Sequence, residues 1–201
     1  MFLTEPPAED HAQARHDEDR HNNGYVDNLT RLWCWRPDVL EAYEHARDLV
    51  LHECGLSDRD VALLVAATAA ARSDSYCALA GGSRLAACAD VQTAATVLAG
   101  SADGLDDRGT ALVRWARQVA RDPNSTTSAD VDRLREVGLS DRQVFAATVF
   151  ITLGMAFSTG ERRAGRRARR AASAEGSAAG ANGRQLRPST RAGSFALATS
   201  T

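Results

Sequence analysis

The residue best suited to chemistry in this sequence is Cys77, which lies in the stretch Ser73-Asp-Ser-Tyr-Cys-Ala-Leu-Ala-Gly-Gly82. A cysteine attacks as the thiolate, so it needs a helix N-terminus, a cation or a base to lower its pKa from about 8.5. If Ser73 or Asp74 caps a helix, Cys77 lies in its first turn, where unpaired N–H groups favour negative charge. The Asp74 carboxylate and an apolar surround oppose that effect. The residues alone leave two interpretations open, a small core residue or a nucleophile, and they favour the first.

The other thiols are far from Cys77 in the sequence. The chain has four cysteines, which are Cys34, Cys54, Cys77 and Cys88. The N-terminus has neither the basic start nor the apolar core of a secretory signal, so we expect reduced thiols rather than a disulfide framework. No apolar run approaches the ~20 residues that a membrane span needs. We therefore expect a cytoplasmic protein.

The histidines are not spaced as metal ligands. His11, His16 and His21 recur every five residues, whereas ligands on one helix lie three or four residues apart. His45 and His52 lie seven residues apart, and no carboxylate or third histidine is placed with them. We therefore expect no metal and no cofactor, and we interpret residues 1–24 as a flexible N-terminal arm.

The composition predicts that helices position these side chains. Aromatic residues make up only 5% of the chain, Ala and Leu are frequent, and apolar residues recur at helical spacing. The predicted helices run from Pro37 to about Glu53, from Val61 to Ala71, over Tyr76 to Leu85, from Asp90 to Leu98, from Leu105 to Val119, from Thr127 or Ser128 to Gly138, and from Arg142 to about Phe157. No strand is predicted, so the fold class is all-α.

A short internal repeat marks two of these helix starts. Gly55-Leu-Ser-Asp-Arg-Asp-Val61 recurs as Gly138-Leu-Ser-Asp-Arg-Gln-Val144. In each copy the serine can cap a helix, and the residue three positions later can reach back to it. The repeat predicts two related helical lobes, although a shared capping sequence would give the same short match.

The end of the chain differs from the rest in charge. Residues 1–159 carry 15 Arg against 24 Asp and Glu, whereas residues 160–201 carry 9 Arg against 2 Glu. The basic segment is rich in Ala, Ser and Gly and has no apolar periodicity, so we interpret residues 160–201 as a disordered tail. The alternative is a nucleic-acid-binding arm, because clustered arginines neutralise phosphates.

A known family has a similar order of motifs. Leu56-Ser-Asp-Arg-Asp-Val-Ala-Leu-Leu-Val-Ala-Ala-Thr68, followed after a break by Ser75-Tyr-Cys77, resembles the carboxymuconolactone decarboxylase and alkylhydroperoxidase D-like family. Leu105-Asp-Asp-Arg, Arg121-Asp-Pro and Asp130-Val-Asp-Arg-Leu-Arg resemble its peroxidase-related branch, and the resemblance covers residues 25–159. It implies an alkylhydroperoxidase-like helical domain that assembles as trimers or hexamers.

The resemblance also implies a site, which this sequence retains only in part. Redox members of the family carry a Cys-x-x-Cys-x-x-x-His motif preceded by a Glu. The second Cys attacks a peroxide, the first resolves the sulfenic acid, and Glu and His transfer protons. Here Cys77 corresponds to the attacking Cys, whereas Asp74 stands at the resolving Cys, Gly81 at the His and Ala62 at the Glu.

Two further residues are candidate substitutes for the missing groups. Asp60 lies two positions from the place of the Glu, and Cys88 is a weak candidate resolving thiol. An unbroken helix would separate Cys88 from Cys77 by about 16 Å, so a disulfide between them would need a bend at Gly81 and Gly82.

The resemblance leads to two expectations about function. The first is a peroxiredoxin-type antioxidant protein that reduces peroxides through Cys77, with activity that is weak or lost. It would use an external thiol or a redoxin as reductant and would be a homo-oligomer. The alternative is a non-catalytic helical assembly module of the same family, and a lyase-type reaction also stays open.

The resemblance ends abruptly after Thr159. Family members continue with an apolar helix that reads approximately Val-Asn-Asp-Ala-Leu-Gly-Ala. GC-rich codons for those residues, read in a shifted frame, give Gly-Glu-Arg-Arg-Ala-Gly-Arg, which is the sequence of residues 160–166. We therefore predict that the tail is out of frame, and that the lost helix leaves apolar surface uncovered on the second repeat helix.

Overall fold

The computed structural model describes residues 6–7, 10–26 and 28–159, and most of these residues are in helices. In chain order they are α1 (Asp10–Asn23), α2 (Asn28–Trp33), α3 (Pro37–Leu51), α4 (Asp58–Arg72), α5 (Ser75–Cys88), α6 (Val91–Leu98), α7 (Asp107–Arg121), a 3₁₀ turn (Pro123–Ser125), α8 (Ser128–Glu136) and α9 (141–159). No strand occurs among these residues, so the prediction of an all-α fold is confirmed. The Arg-rich tail and its predicted frameshift lie outside the described residues.

The described residues divide into two compact units, one ending at Glu44 and one spanning His45–Ser158. The predicted domain start at residue 25 remains a prediction. In the first unit, residues 10–23 form α1, although the sequence predicts a flexible arm there. Arg15 pairs with Glu44 at 2.9 Å, and the rings of Trp33 and Tyr43 stack with centroids 6.3 Å apart. These contacts join residues up to 29 positions apart in the chain, which is why the local sequence does not predict them.

The core of the second unit is built around α4. This helix is apolar nearly all round, and α5, α6 and α7 pack against it. Its buried residues include Val61, Ala62, Leu63, Leu64, Ala66, Ala67 and Ala69. In contrast, α7 buries one face and exposes another, which carries Arg114 and Arg121. The prediction that the first repeat helix is buried on most sides is confirmed.

The two repeat segments start their helices in the same way. Ser57 and Asp60 form a reciprocal capping box at α4, with bonds of 3.1 and 3.0 Å. Ser140 and Gln143 form the same arrangement at α9, with bonds of 3.3 and 2.9 Å. The side chain of Gln143 also donates to the Gly55 carbonyl at 2.9 Å. The two repeat helix starts are therefore in direct contact.

Glycine is required just before each of these starts. Gly55 and Gly138 have φ angles of +74° and +84°. A side chain at either position would strain the backbone, because only glycine visits this region without cost. Each glycine thus reverses the chain between a preceding helix and a repeat helix.

Two surface properties of the helices bear on the sequence predictions. None of the helices in the described ranges is both long enough and apolar enough to cross a membrane.

Phe145 on the outer side of α9 is 69% exposed. The tail to which the frameshift prediction refers is not among the described residues, so that prediction remains open.

Candidate functional site

Cys77 lies in the first turn of α5, at the corner where α4 ends. Ser73 closes α4 in the left-handed conformation with φ +53°, and Asp74 is the N-cap of α5. The Asp74 Oδ1 atom accepts the backbone N–H groups of Tyr76 at 3.2 Å and of Cys77 at 3.1 Å. The side chain of Cys77 is half-buried. The predicted cap and the predicted position of the thiol are both confirmed.

The Asp74 cap changes the electrostatics of the thiol. An uncapped helix N-terminus favours an anion because its first N–H groups are unpaired. Here a carboxylate already takes two of those groups, including that of Cys77 itself. The same carboxylate places a negative charge beside the thiol, which opposes formation of a thiolate.

Three buried polar atoms in residues 68–74, at the end of α4 and the cap of α5, have no hydrogen-bond partner among the described residues. They are Thr68 Oγ1, Arg72 Nε and Asp74 Oδ2. Thr68 and Arg72 are four residues apart on α4 and therefore share a face, and Asp74 is only 5% exposed. Buried polar groups are nearly always hydrogen-bonded in folded proteins, since an unsatisfied one costs about 1–3 kcal/mol. The hydrogen-bonding capacity of these three buried atoms is therefore unused among the described residues.

Asp60 is held in a structural ion pair away from this corner. Arg108 Nη2 donates to its Oδ2 at 2.9 Å, and the backbone N–H of Ser57 donates to the same atom at 3.0 Å. Burial favours a higher pKa for Asp60, but the hydrogen bonds from Arg108 and Ser57 outweigh it, so the pKa lies below its usual 3.8. Arg108 lies 48 residues from Asp60 in the chain, so the local sequence does not indicate this partner.

Asp60 and Cys77 lie far apart along the pair of helices α4 and α5. Helix α5 runs back along α4, with Gly81 against Val65 and Ala66. Asp60 and Cys77 lie on opposite sides of that contact, roughly 14 Å apart along the pair at 1.5 Å per residue. In this structure Asp60 is therefore not positioned to exchange protons with Cys77.

The positions at which the resembled motif has its Glu and His are closely packed in this structure. A Cβ atom on Gly81 would lie 2.8 Å from Val65 Cγ1 and 3.2 Å from the backbone nitrogen of Ala66. Ala62, at the position of the Glu, is fully buried with 0% exposure. A larger side chain at either position would require α4 and α5 to move apart.

Cys88 lies at the opposite end of α5 from Cys77. The helix runs without a break from Ser75 to Cys88, so the two thiols are separated by about 16 Å of helical rise. A disulfide requires Cα atoms within about 7 Å, and one between these residues would need α5 to unwind. Cys88 is exposed at the surface.

The structure also contains a thiol–imidazole contact that the sequence analysis did not find. In the first unit, Cys34 Sγ lies 3.6 Å from His16 Nε2 and 3.9 Å from the Ala12 carbonyl oxygen. Burial raises the pKa of the Cys34 thiol, Arg15 lowers it by less, and Asp19 raises it further. Cys34 is only 8% exposed. His16 is 18 residues away from Cys34 in the chain. The contact is therefore visible only in the folded structure, in which α1 carries His16.

No group of three or more His, Cys, Asp or Glu side chains is placed to hold a metal ion within the described ranges. Cys54 is buried and accepts the backbone N–H of Leu56 at 3.5 Å, which is a structural role.

Comparison with solved structures supports the fold. A structure described as "alkylhydroperoxidase AhpD core: uncharacterized peroxidase-related protein", from Ralstonia eutropha JMP134, superposes with a TM-score of 0.66 at 23% identity, over 78% of this chain and 86% of that chain. An uncharacterized peroxidase-related protein from Silicibacter sp. TM1040 gives a TM-score of 0.66 at 21% identity, over 81% of this chain and 87% of that chain. At these identities the likeness establishes a shared fold, so the expected alkylhydroperoxidase D-like bundle is confirmed. No family model matches the sequence, and no curated protein matches it.

Proposed function

We propose that the protein is a slow thiol-dependent peroxidase in which Cys77 is the nucleophile. The observation that carries this proposal is the position of Cys77, half-buried in the first turn of α5, directly after a segment (residues 68–74) that holds three buried polar atoms without a partner among the described residues. A peroxide has two oxygens that accept hydrogen bonds and, in hydroperoxides, one O–H that donates. In this proposal Arg72 and Thr68 donate to the peroxide oxygens and Asp74 accepts from the O–H when a peroxide enters next to Cys77.

The reaction begins when the Cys77 thiolate attacks one peroxide oxygen. An S–O bond forms and the O–O bond breaks. The leaving alkoxide or hydroxide is protonated by water, and the cysteine is oxidised to a sulfenic acid. One external thiol then displaces water from the sulfenic acid to give a mixed disulfide. A second external thiol releases reduced Cys77 as a disulfide of the two external thiols forms.

An external thiol is part of the proposal because Cys77 has no resolving cysteine within its own helix turn. Asp74 stands at that position and caps α5. Cys88 is separated by the length of the helix. The reductant is therefore a small thiol or a redoxin. The family that the sequence resembles forms homo-oligomers, and the proposal includes the same for this protein.

The weakness of the proposed activity also follows from the site. Asp74 occupies N–H groups that would stabilise a thiolate, and the positions of the family's Glu and His hold Ala62 and Gly81. The alternative function is a helical assembly module that has kept the fold without the chemistry. The same Asp74 cap is the observation that favours it.

Chemical labelling of the sulfenic acid distinguishes the two functions. The full chain is treated with one equivalent of hydrogen peroxide at neutral pH in the presence of dimedone, which reacts with sulfenic acids, and each cysteine is then quantified by mass spectrometry. The proposal predicts that Cys77 is labelled well above Cys88, which is an exposed thiol without a surrounding site. Equal labelling of the two, or preferential labelling of Cys88, would favour the assembly module.

A further inference from the structure

A second site is suggested by an arginine-lined cleft, which is separate from the Cys77 corner. The cleft has a volume of about 460 Å³ and is bordered by the second half of α7, the 3₁₀ turn and α8. Its lining contains four arginines, which are Arg114, Arg117, Arg121 and Arg133. The one carboxylate in the lining is Asp130, so the cleft carries three positive charges in excess. Neither Cys77 nor Asp74 lines it.

Three of the arginines come from one face of α7. Arg114, Arg117 and Arg121 are three and four residues apart, which places their side chains in a row along the helix. Like charges at these spacings destabilise a helix by a few tenths of a kcal/mol per pair. Helix stability therefore does not explain the row.

The protein itself leaves most of this charge without a counter-ion. Arg133 pairs with Asp130 at 2.5 Å. Asp130 also accepts from the Thr127 backbone N–H at 2.9 Å, so this carboxylate is already engaged in the cap of α8. Within the described ranges, Arg114 and Arg121 have no carboxylate within ion-pair distance.

Arg117 is the most constrained member of the row. Its Nη2 atom donates to the carbonyl oxygens of Val97 at 3.1 Å and Ser101 at 2.6 Å, which are uncharged acceptors. Burial lowers its pKa, and the positive charge of Arg121 lowers it further. Its Nε atom is buried and has no acceptor among the described residues. The guanidinium is therefore fixed in place, and the protein does not neutralise its charge.

We propose that this cleft binds a small organic anion through carboxylate or phosphate groups. Guanidinium groups pair with both kinds of anion through two parallel N–H···O bonds, which makes arginine the usual ligand for them. The volume lies within the range of about 300–1,000 Å³ that is typical of small-molecule sites. An anion with two charged groups would bridge neighbouring arginines along α7 and offset their repulsion.

Calorimetric titration of the full chain with pyrophosphate and with succinate tests the proposal, at an ionic strength held constant with KCl. At least one of the two probes is expected to bind with a 1:1 stoichiometry. Stronger binding of pyrophosphate assigns phosphate ligands to the cleft, and stronger binding of succinate assigns dicarboxylates. Absence of heat beyond the KCl control for both probes would overturn the proposal.

Substitutions locate the binding to the cleft. The double variant Arg114→Gln/Arg121→Gln removes two exposed arginines that make no ion pair, so the fold is expected to persist. Its affinity for the bound probe should fall at least about tenfold, because two guanidinium groups that donate charge-assisted hydrogen bonds to the anion are lost. Arg142→Gln, an exposed arginine on α9 outside the lining, is the control for the change of charge. Equal weakening in the control, or unchanged affinity in the double variant, would refute the site.

Discussion

The Asp74 carboxylate accepts the backbone N–H of Cys77 at 3.1 Å, so the residue that starts α5 also sets the charge beside its thiol. The cap stabilises the helix that presents Cys77. It also opposes the ionisation on which nucleophilic attack depends. One residue thus supports the structure of the site and limits its chemistry.

The first prediction concerns this charge. Asp74→Asn keeps a good N-cap, because Asn and Asp cap helices about equally well, but it removes the negative charge. The reaction of Cys77 with iodoacetamide at neutral pH should then become roughly three to ten times faster, since a charge a few ångströms away shifts thiol ionisation by up to about one pKa unit. The rate at Cys77 is followed by mass spectrometry. Asp90→Asn, which changes the N-cap of α6 instead, should leave it unaltered. An unchanged or slower rate in Asp74→Asn would contradict the role assigned to the cap.

The second prediction concerns the ion pair of Asp60 with Arg108. Asp60→Asn should lower the free energy of unfolding by about 2–4 kcal/mol at neutral pH, because it leaves a partly buried arginine without its carboxylate. The free energy is measured by urea denaturation. Asp58→Asn removes an exposed partner of Arg84, with 70% of its side chain accessible, and should cost less than about 1 kcal/mol.

The pH dependence of the same pair has a defined sign. The pKa of Asp60 is lowered by folding, so the ion pair stabilises the protein above the unfolded value of 3.8, and this stabilisation is lost as the pH falls through the folded value. The difference in stability between wild type and Asp60→Asn should therefore be largest at neutral pH and shrink below about pH 4. A difference that is constant down to pH 3 would show that Asp60 does not titrate in this way.

The third prediction concerns the close approach of α5 to α4. Gly81→Ala should destabilise the protein by about 1–3 kcal/mol, because its Cβ atom would meet Val65 at 2.8 Å and the Ala66 backbone at 3.2 Å. The melting temperature by circular dichroism reports the change. Gly154→Ala on α9 is the matched control, since a Cβ atom there has no neighbour within 4 Å and alanine favours helix. A Gly81→Ala variant as stable as Gly154→Ala would show that the two helices separate easily. Position 81 would then have room for a larger side chain, such as the histidine of the resembled motif.

The sequence predicts the helices and their caps well because both depend on nearby residues. The Ser57–Asp60 and Ser140–Gln143 capping boxes each join residues three positions apart, and the apolar run of α4 can be recognised in the sequence without knowing which helices pack against it. The same local reasoning correctly placed Cys77 in the first turn of α5. It also failed to predict α1, because the contact of His16 with Cys34 joins residues 18 positions apart.

The details of the candidate site depend on contacts that spacing does not reveal. The pairing of Asp60 with Arg108 spans 48 residues. The contact of Gly81 with Val65 depends on how closely two helices pack. The arginine row on α7 is visible in the sequence at spacings of three and four, but the absence of nearby carboxylates appears only once the described helices are assembled.

The most direct test of the central proposal is the consumption of hydrogen peroxide by the full chain with dithiothreitol as external thiol at neutral pH. Wild type and Cys88→Ser should consume peroxide at the same rate, above the rate of the buffer with dithiothreitol alone. Cys77→Ser should reduce consumption to that background, and Cys34→Ser, which removes the buried thiol beside His16, should retain the wild-type rate. Equal peroxide turnover in wild type and Cys77→Ser would contradict the assignment of Cys77 as the nucleophile.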